Sequence, residues 1–571
     1  MDEKARVELL DRFVNARTWE ECKRMVESHA ELLSDTVERI LLENIHQYTA
    51  GTEEHKLLSE SLSVLRHCRE KSVESAFADR IISPELKAVL QQLHDPANEE
   101  NYPLRIALAR QGLGMVTETS RPRKWAILHV YLANALMDLR DENHGNNIEL
   151  GIDAFKQALR VTNSENMPKE WGIIHANLGN AYSERTEGNP RDNIEKAIYH
   201  YTSSLEFLRI HAPLIKWIKT MLNLGGAYQR RILGSRTDNF NKALSIYQEA
   251  VNFADRETMP ELWASCVNNI GLVYWRRTDG DREENLERAI SMFERSREVA
   301  TRDTTTQSWF KSTIYLGSVY IQRMRGDKSE NLETAIALLA SVLESVTYES
   351  DPDDWCAALG SLGDAYIERI SGEKAENLEQ AISLLNQVMQ KTSENPRQSD
   401  RLTLPRITIG LGNAFSHRVF GNLLENLEKA ISYYNDSLNL LEPETDSDEW
   451  SIVMNNLGNV YLKRVWENPA DNREQAISYY ERALEVRTRE TMAVEWAVTV
   501  MNLAIAYTER IKGSRAENFE RAIELHQQAF EIVTPENMPV EWARNMNNLG
   551  AAYIERIRGD RAENIERAVS A

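Results

Sequence analysis

The chain has 571 residues, with 67 Lys and Arg against 88 Asp and Glu, a net charge of −21 and a pI near 5.2. This balance disfavours nucleic acid, which calls for a basic face, and anionic membrane surfaces. No run approaches the ~18 apolar residues of a membrane span, and Met1-Asp-Glu-Lys-Ala-Arg6 lacks a hydrophobic signal region.

Residues 1–100 read as an N-terminal helical cap region. Thr18 is placed to cap a helix from Trp19, and Ser34 one running to about Tyr48. Thr52 opens a helix through Leu57, Leu58, Leu62 and Leu65, and Ser83-Pro84-Glu85 a short one to about Leu93. The region is expected to cover the apolar face of the first repeat; a separate docking module is the alternative. A degenerate repeat precedes the first clear one, with Asp79 in its Trp slot, Asn101 in its +22 slot and Ile106 in its +27 slot. The four cysteines, Cys22, Cys68, Cys266 and Cys356, show no metal-type spacing and suit a reducing cytosol, so a cytoplasmic location is expected.

From residue 101 to 571 the chain is an array of ten repeats, the last incomplete. Trp falls at 125, 171, 217, 263, 309 and 355, each step being 46 residues, and again at 450, 496 and 542. Leu404 fills the missing slot, after three inserted residues in the stretch Ser393–Leu404, where a slightly longer loop with unchanged stacking is favoured over a bend. Counting each repeat from its Trp, column +8 is Gly or Ala, +11 is Tyr in eight repeats, and +26 is Ala in nine. Positions 0, +4, +7, +8 and +11 share a helix face. Small residues at +8 and +26 let two helices approach closely, and Tyr at +11 is expected to fill the space that remains. Pro at −3, as in Pro122, Pro168 and Pro260, suits a first helical turn, and Gly at +17, as in Gly188 and Gly234, suits a helix C-terminus. Column +22 is Asn in all ten repeats, from Asn147 to Asn564. It is expected to cap the second helix, with the neighbouring acid at +21 favouring the same end and the Arg of column +14 reaching that acid.

Asn177-Leu178-Gly179-Asn180-Ala181-Tyr182, followed by Ala197-Ile198, resembles the tetratricopeptide repeat (TPR), although the usual unit is ~34 residues. The resemblance implies an all-α, TPR-like α-solenoid: a right-handed superhelix of helix-turn-helix repeats. The 46-residue style also resembles arrays that precede a CHAT-type, caspase-like peptidase domain in bacterial proteins. No such domain lies within these residues. The TPR resemblance further implies that first-helix columns +2, +5, +9, +12 and +13 face a peptide or protein partner.

On those columns Arg230, Arg276, Trp275 and Asn268 depart from the mixed or apolar pattern, and Asn177, Asn180 and Asn223 are weaker polar candidates on the first helices. Stacking brings Arg230, Trp275 and Arg276 into one patch suited to an acidic peptide or terminal carboxylate. Pairing of these arginines with local acids is the plainer reading. No phosphate loop, HExxH or CxxC occurs. Cys68 beside His67, and Cys22 with His29, lack an orienting partner. The expectation is therefore a non-enzymatic protein-interaction scaffold without cofactor or metal. The alternatives are the sensor half of a CHAT-type peptidase acting in cis and a self-assembling structural rod. The short final helix, Asn564 to Ala571, predicts a longer natural protein.

Overall fold

The computed structural model describes residues 3–570 apart from 79, 142, 278, 302–305, 395–396, 398–399 and 444–445. The Asp79 slot and part of the inserted stretch before Leu404 therefore lie outside the described residues. Two compact units are present, residues 1–223 and residues 224–571.

The described secondary structure is helical throughout. Thr18, Thr52 and Ser83 cap their helices as expected, accepting from the N–H of Glu21, His55 and Leu86. Ser34 precedes the helix Asp35–Ile45 but does not cap it, because its hydroxyl donates back to the Glu31 carbonyl. The N-terminal region holds two cores. Leu9, Phe13, Leu41, Leu65 and Phe77 belong to one. Leu86, Leu90 and Leu108 close over Leu128 of the first repeat in the other.

Each repeat is a pair of helices, such as Pro168–Glu184 with Pro190–His211, or Ser447–Lys463 with Pro469–Val486. Proline at −3 opens the first helix at its N1 or N2 position in five repeats, where an N–H has no partner in any case. Glycine at +17 does not end that helix. It has φ between 76° and 86° and directly precedes the residue that caps the second helix. That N-cap is the +18 residue (Asn189, Ser235, Asp281, Asp327), whose side chain accepts from backbone N–H groups of the first turn.

The expectation that Tyr at +11 fills the space beside the +8 glycine is corrected. The ring that covers this glycine comes from +30 on the second helix. A methyl built on Gly179, Gly225, Gly412 or Gly458 would lie within 2.4–2.5 Å of Tyr201, Tyr247, Tyr434 or Tyr480. These four tyrosines are among the largest fully buried side chains. Five of the +11 tyrosines lie under the guanidinium of their own +14 arginine, as in Arg323 over Tyr320 at 5.2 Å and Arg369 over Tyr366 at 5.4 Å.

The +22 asparagine is also corrected. It does not accept from the second helix. In nine repeats its amide donates to the carbonyl at +16, at 2.8–3.0 Å, as Asn193 does to Glu187 and Asn331 to Arg325, and in the first Asn147 donates to the Asp141 carboxylate at 3.0 Å. The turn between the helices presents carbonyls with no partner in either helix, and the cap itself is already supplied from +18. The +14 arginine does not pair with the acid at +21. It forks onto the +24 glutamate of the preceding repeat: Arg323 on Glu287, Arg369 on Glu333, Arg510 on Glu474 and Arg556 on Glu520. Arg418 makes the same contact with Glu379 across the inserted residues, so the insertion leaves the stacking unchanged.

Gly458→Ala should lower the denaturant midpoint, because overpacking against Tyr480 costs about 1–3 kcal/mol. Gly550→Ala, where the nearest atom is the Ala568 carbonyl at 3.3 Å, should be close to neutral in the same titration. Hydrogen bonds from arginine hold Glu287, Glu333, Glu379, Glu474 and Glu520 below the usual carboxylate range. A lowered folded pKa contributes stability above the unfolded value of ~4.3 and loses it as pH falls through the folded value. Melting temperature should therefore drop steeply below about pH 4, and Glu474→Gln should shallow that drop.

Candidate functional site

Arg230, Trp275 and Arg276 lie at the C-terminal ends of neighbouring first helices, Leu214–Gln229 and Pro260–Arg276. Both arginines are exposed, and both lie within electrostatic reach of the buried Tyr247 hydroxyl. Burial raises the pKa of that tyrosine, while the Gln229 amide donates to its oxygen at 2.9 Å. Trp275 is half-buried, its ring facing Tyr315 at 6.4 Å and its indole N–H donating to Gln322 at 3.2 Å. Residues 224–571 thus place both arginines within electrostatic reach of one tyrosine, with the indole of Trp275 held by Gln322.

This patch has an acidic neighbour that column analysis did not anticipate. Arg276 lies within electrostatic reach of Glu449, in the first turn of the helix Ser447–Lys463, four repeats further along the chain. Burial raises the Glu449 pKa, with Asp448 and Asp446 adding to the rise. The contact depends on how the repeats wind, which no single repeat encodes.

Asn268 is buried, 5% exposed, and its side-chain oxygen has no hydrogen-bond partner among the described residues. A buried unpaired carbonyl oxygen costs about 1–3 kcal/mol. Asn177, Asn180 and Asn223 lie in the other compact unit and stitch repeats together. The Asn177 amide donates to Asn134 at 2.8 Å, and the Asn223 amide to Asn180 at 2.9 Å. Asn180 also accepts from Tyr201, the ring over Gly179, at 2.9 Å. The same motif recurs as Asn456 to Asn413, with Tyr434 on Asn413.

One departure from the columns was missed. Position +23 is Ile, Leu or Phe in nine repeats and Arg473 in the eighth. Its presence accompanies a cavity of about 500 Å³ bordered by Arg473, Glu509, Arg510, Arg515 and Phe519. Arg473 reaches Glu509 at 3.4 Å, longer than a charge-assisted bond, and its Nε and Nη1 are buried without a hydrogen-bond partner among the described residues. The same repeat carries Glu467 in the +17 column, the single described non-glycine residue with positive φ, at 62°.

The thiols do not resemble activated nucleophiles. All four cysteines are buried, and desolvation pushes Cys68 up to about 11 and Cys266 up to about 12. Among the described residues no cluster of three or more His, Cys, Asp and Glu is arranged to hold a metal, and no helix is long and apolar enough to cross a membrane.

No family model and no curated protein matches the chain. Similar solved structures include yeast Tom70 (14% identity, 84% of this chain and 99% of that one, TM-score 0.34). Others are the APC/C hetero-tetramer Cut9–Hcn1 (14%, 86% and 94%, TM-score 0.34) and the TPR domain of P58(IPK) (11%, 74% and 98%, TM-score 0.20). The superpositions are loose, so the tandem-repeat assignment rests on this chain's own helix pairs.

Replacing Arg473 with Leu restores the apolar column and removes buried, unpaired N–H groups. Arg473→Leu should therefore raise the denaturant midpoint, by a change worth about 1–2 kcal/mol.

Proposed function

We propose that the array is a non-enzymatic scaffold that grips an extended, acidic segment of a protein partner. Arg230 and Arg276 would hold its carboxylates, and Trp275 would supply apolar contact beside them. The observation that carries this reading is that two exposed arginines of adjacent repeats both lie within electrostatic reach of Tyr247, with the half-buried Trp275 next to Arg276 in the chain. Exposed guanidinium groups next to an aromatic form a carboxylate-binding arrangement, and Arg and Trp dominate binding energy where they anchor interfaces. Asn268 is buried beneath these columns and would shape the patch from below without touching the bound segment. Within residues 1–223, taken by themselves, Asn177, Asn180 and Asn223 would offer polar contacts to a segment bound along that unit. The buried, unactivated thiols favour the non-enzymatic reading and suit a cytoplasmic setting.

A regulatory array acting in cis on a CHAT-type peptidase domain is the second reading, carried by the 46-residue period. In both readings the partner is protein.

Selection from a displayed library of unstructured peptides should enrich acidic sequences. The triple variant Arg230→Ala, Trp275→Ala, Arg276→Ala should bind the selected peptides at least ~100-fold more weakly, since each charge-assisted bond contributes about 1.5–3 kcal/mol. Enrichment without acidic bias, or equal binding by the triple variant, removes the basis for the proposal.

A further inference from the structure

We infer that residues 224–571 carry an internal acidic occupant of their own cationic edge, a clasp that an acidic partner must displace. The inference rests on the acidic-segment reading above and adds a competitor built into the fold.

The central contact joins residues 212 positions apart. Arg236 forks onto Asp448, Nη1 to Oδ1 at 2.7 Å and Nη2 to Oδ2 at 2.6 Å, with both side chains about one-third exposed. Arg236 is the first residue of the helix Arg236–Phe253, and Asp448 lies in the first turn of Ser447–Lys463. Asp448 suits its helix, whose N-terminus favours a negative charge, but Arg236 sits at the wrong end of its own. Cations at the equivalent +19 position of the next repeats find local acceptors. Arg282, Lys328 and Lys374 each donate to a carbonyl ending the preceding helix, those of Trp275, Ile321 and Ile367. Arg236 is instead directed to Asp448, five repeats further along the chain.

The pairing follows a register. One repeat on from Arg236 is Arg282, and one repeat on from the Asp448–Glu449 pair is Glu495. Arg282 and Glu495 lie within electrostatic reach of each other, as Arg236 does of Glu449 and Glu495, and Arg276 of Glu449. A further step of 46 residues brings the register to Lys328 and Glu541. The acidic starts of the eighth and ninth first helices therefore lie along the cationic edge of the third and fourth repeats. They supply carboxylates to the same neighbourhood, including Arg276, that the proposed partner needs.

Magnitude decides what this contact does. Partly exposed ion pairs contribute little and are screened over a Debye length of ~8 Å at physiological salt. Such a clasp joins the third repeat to the eighth yet yields to a ligand offering several carboxylates at once.

The test uses the full chain and a fluorescein-labelled peptide of alternating Glu and Ser as the acidic probe. Asp448→Asn, Glu449→Gln and Glu495→Gln together neutralise the internal competitor with near-isosteric side chains. The triple variant should bind the probe about tenfold more tightly than the parent by anisotropy, and the gap should narrow as salt rises. Small-angle scattering should show a larger maximum dimension for Arg236→Asp, and a return towards the parent value in the double swap Arg236→Asp with Asp448→Arg. Equal probe binding by parent and triple variant overturns the clasp as a competitor and leaves the acidic-segment reading standing. Failure of both to bind overturns both. Unchanged scattering in Arg236→Asp overturns the clasp on its own.

Discussion

In seven repeats the two helices pack closely because an aromatic ring or Leu from the second covers a glycine of the first. With Tyr480 packed where a Cβ on Gly458 would clash at 2.5 Å, the helix axes are held closer than side chains of ordinary size allow. The buried tyrosine also positions its hydroxyl. Tyr201, Tyr434 and Tyr480 donate to Asn180, Asn413 and Asn459 on the facing helix, and two of those asparagines accept from the next repeat as well. Close packing within a repeat is thereby coupled to stitching between repeats. The Arg-to-Glu forks add a second seam near the surface, where each rung is weak and the series as a whole fixes the stacking.

Much of this was legible in the columns, and the reason is physical. Proline at −3 and small residues at +8 and +26 report local geometry, which a periodic sequence displays directly. The errors concern which partner a side chain meets. Tyr at +11 and the aromatic or Leu residue at +30 lie on different helices, and only packing shows which of them covers the glycine. Asn at +22 looks like a cap because it stands in a first turn. The cap was already supplied at +18, and the unmet need lay with the carbonyls of the inter-helix turn. Arg at +14 meets an acid 36 residues back, a distance set by stacking that a single repeat does not reveal. The Arg236–Asp448 contact was less legible still, because its 212-residue offset depends on the winding of several repeats together.

A solenoid tolerates specialisation because each repeat chiefly contacts its neighbours. The eighth repeat uses that freedom. It alone places Arg in the +23 column, it has Glu467 where eight repeats have glycine, and it contributes Asp448 and Glu449. The first two features are costly: an under-bonded buried guanidinium and a left-handed backbone on a side chain that disfavours it. Glu467 recovers part of that cost through its 2.7 Å contact with Arg464. Costs confined to one repeat and its neighbour leave the rest of the array unaffected.

The charge of −21 acquires a specific meaning from this arrangement. An acidic array repels acidic ligands at long range, so attraction must come from cations placed where the net field is locally reversed. Arg230, Arg236, Arg276 and Arg282 lie in two adjacent repeats, and a repeat architecture fixes how far along the chain the facing acids must fall. When the winding brings acidic helix starts to that edge, the chain's own carboxylates are the first anions the arginines meet. On the proposed reading, an acidic partner would exchange one set of carboxylates for another, and the difference between the two, rather than the gross strength of either, would set its affinity.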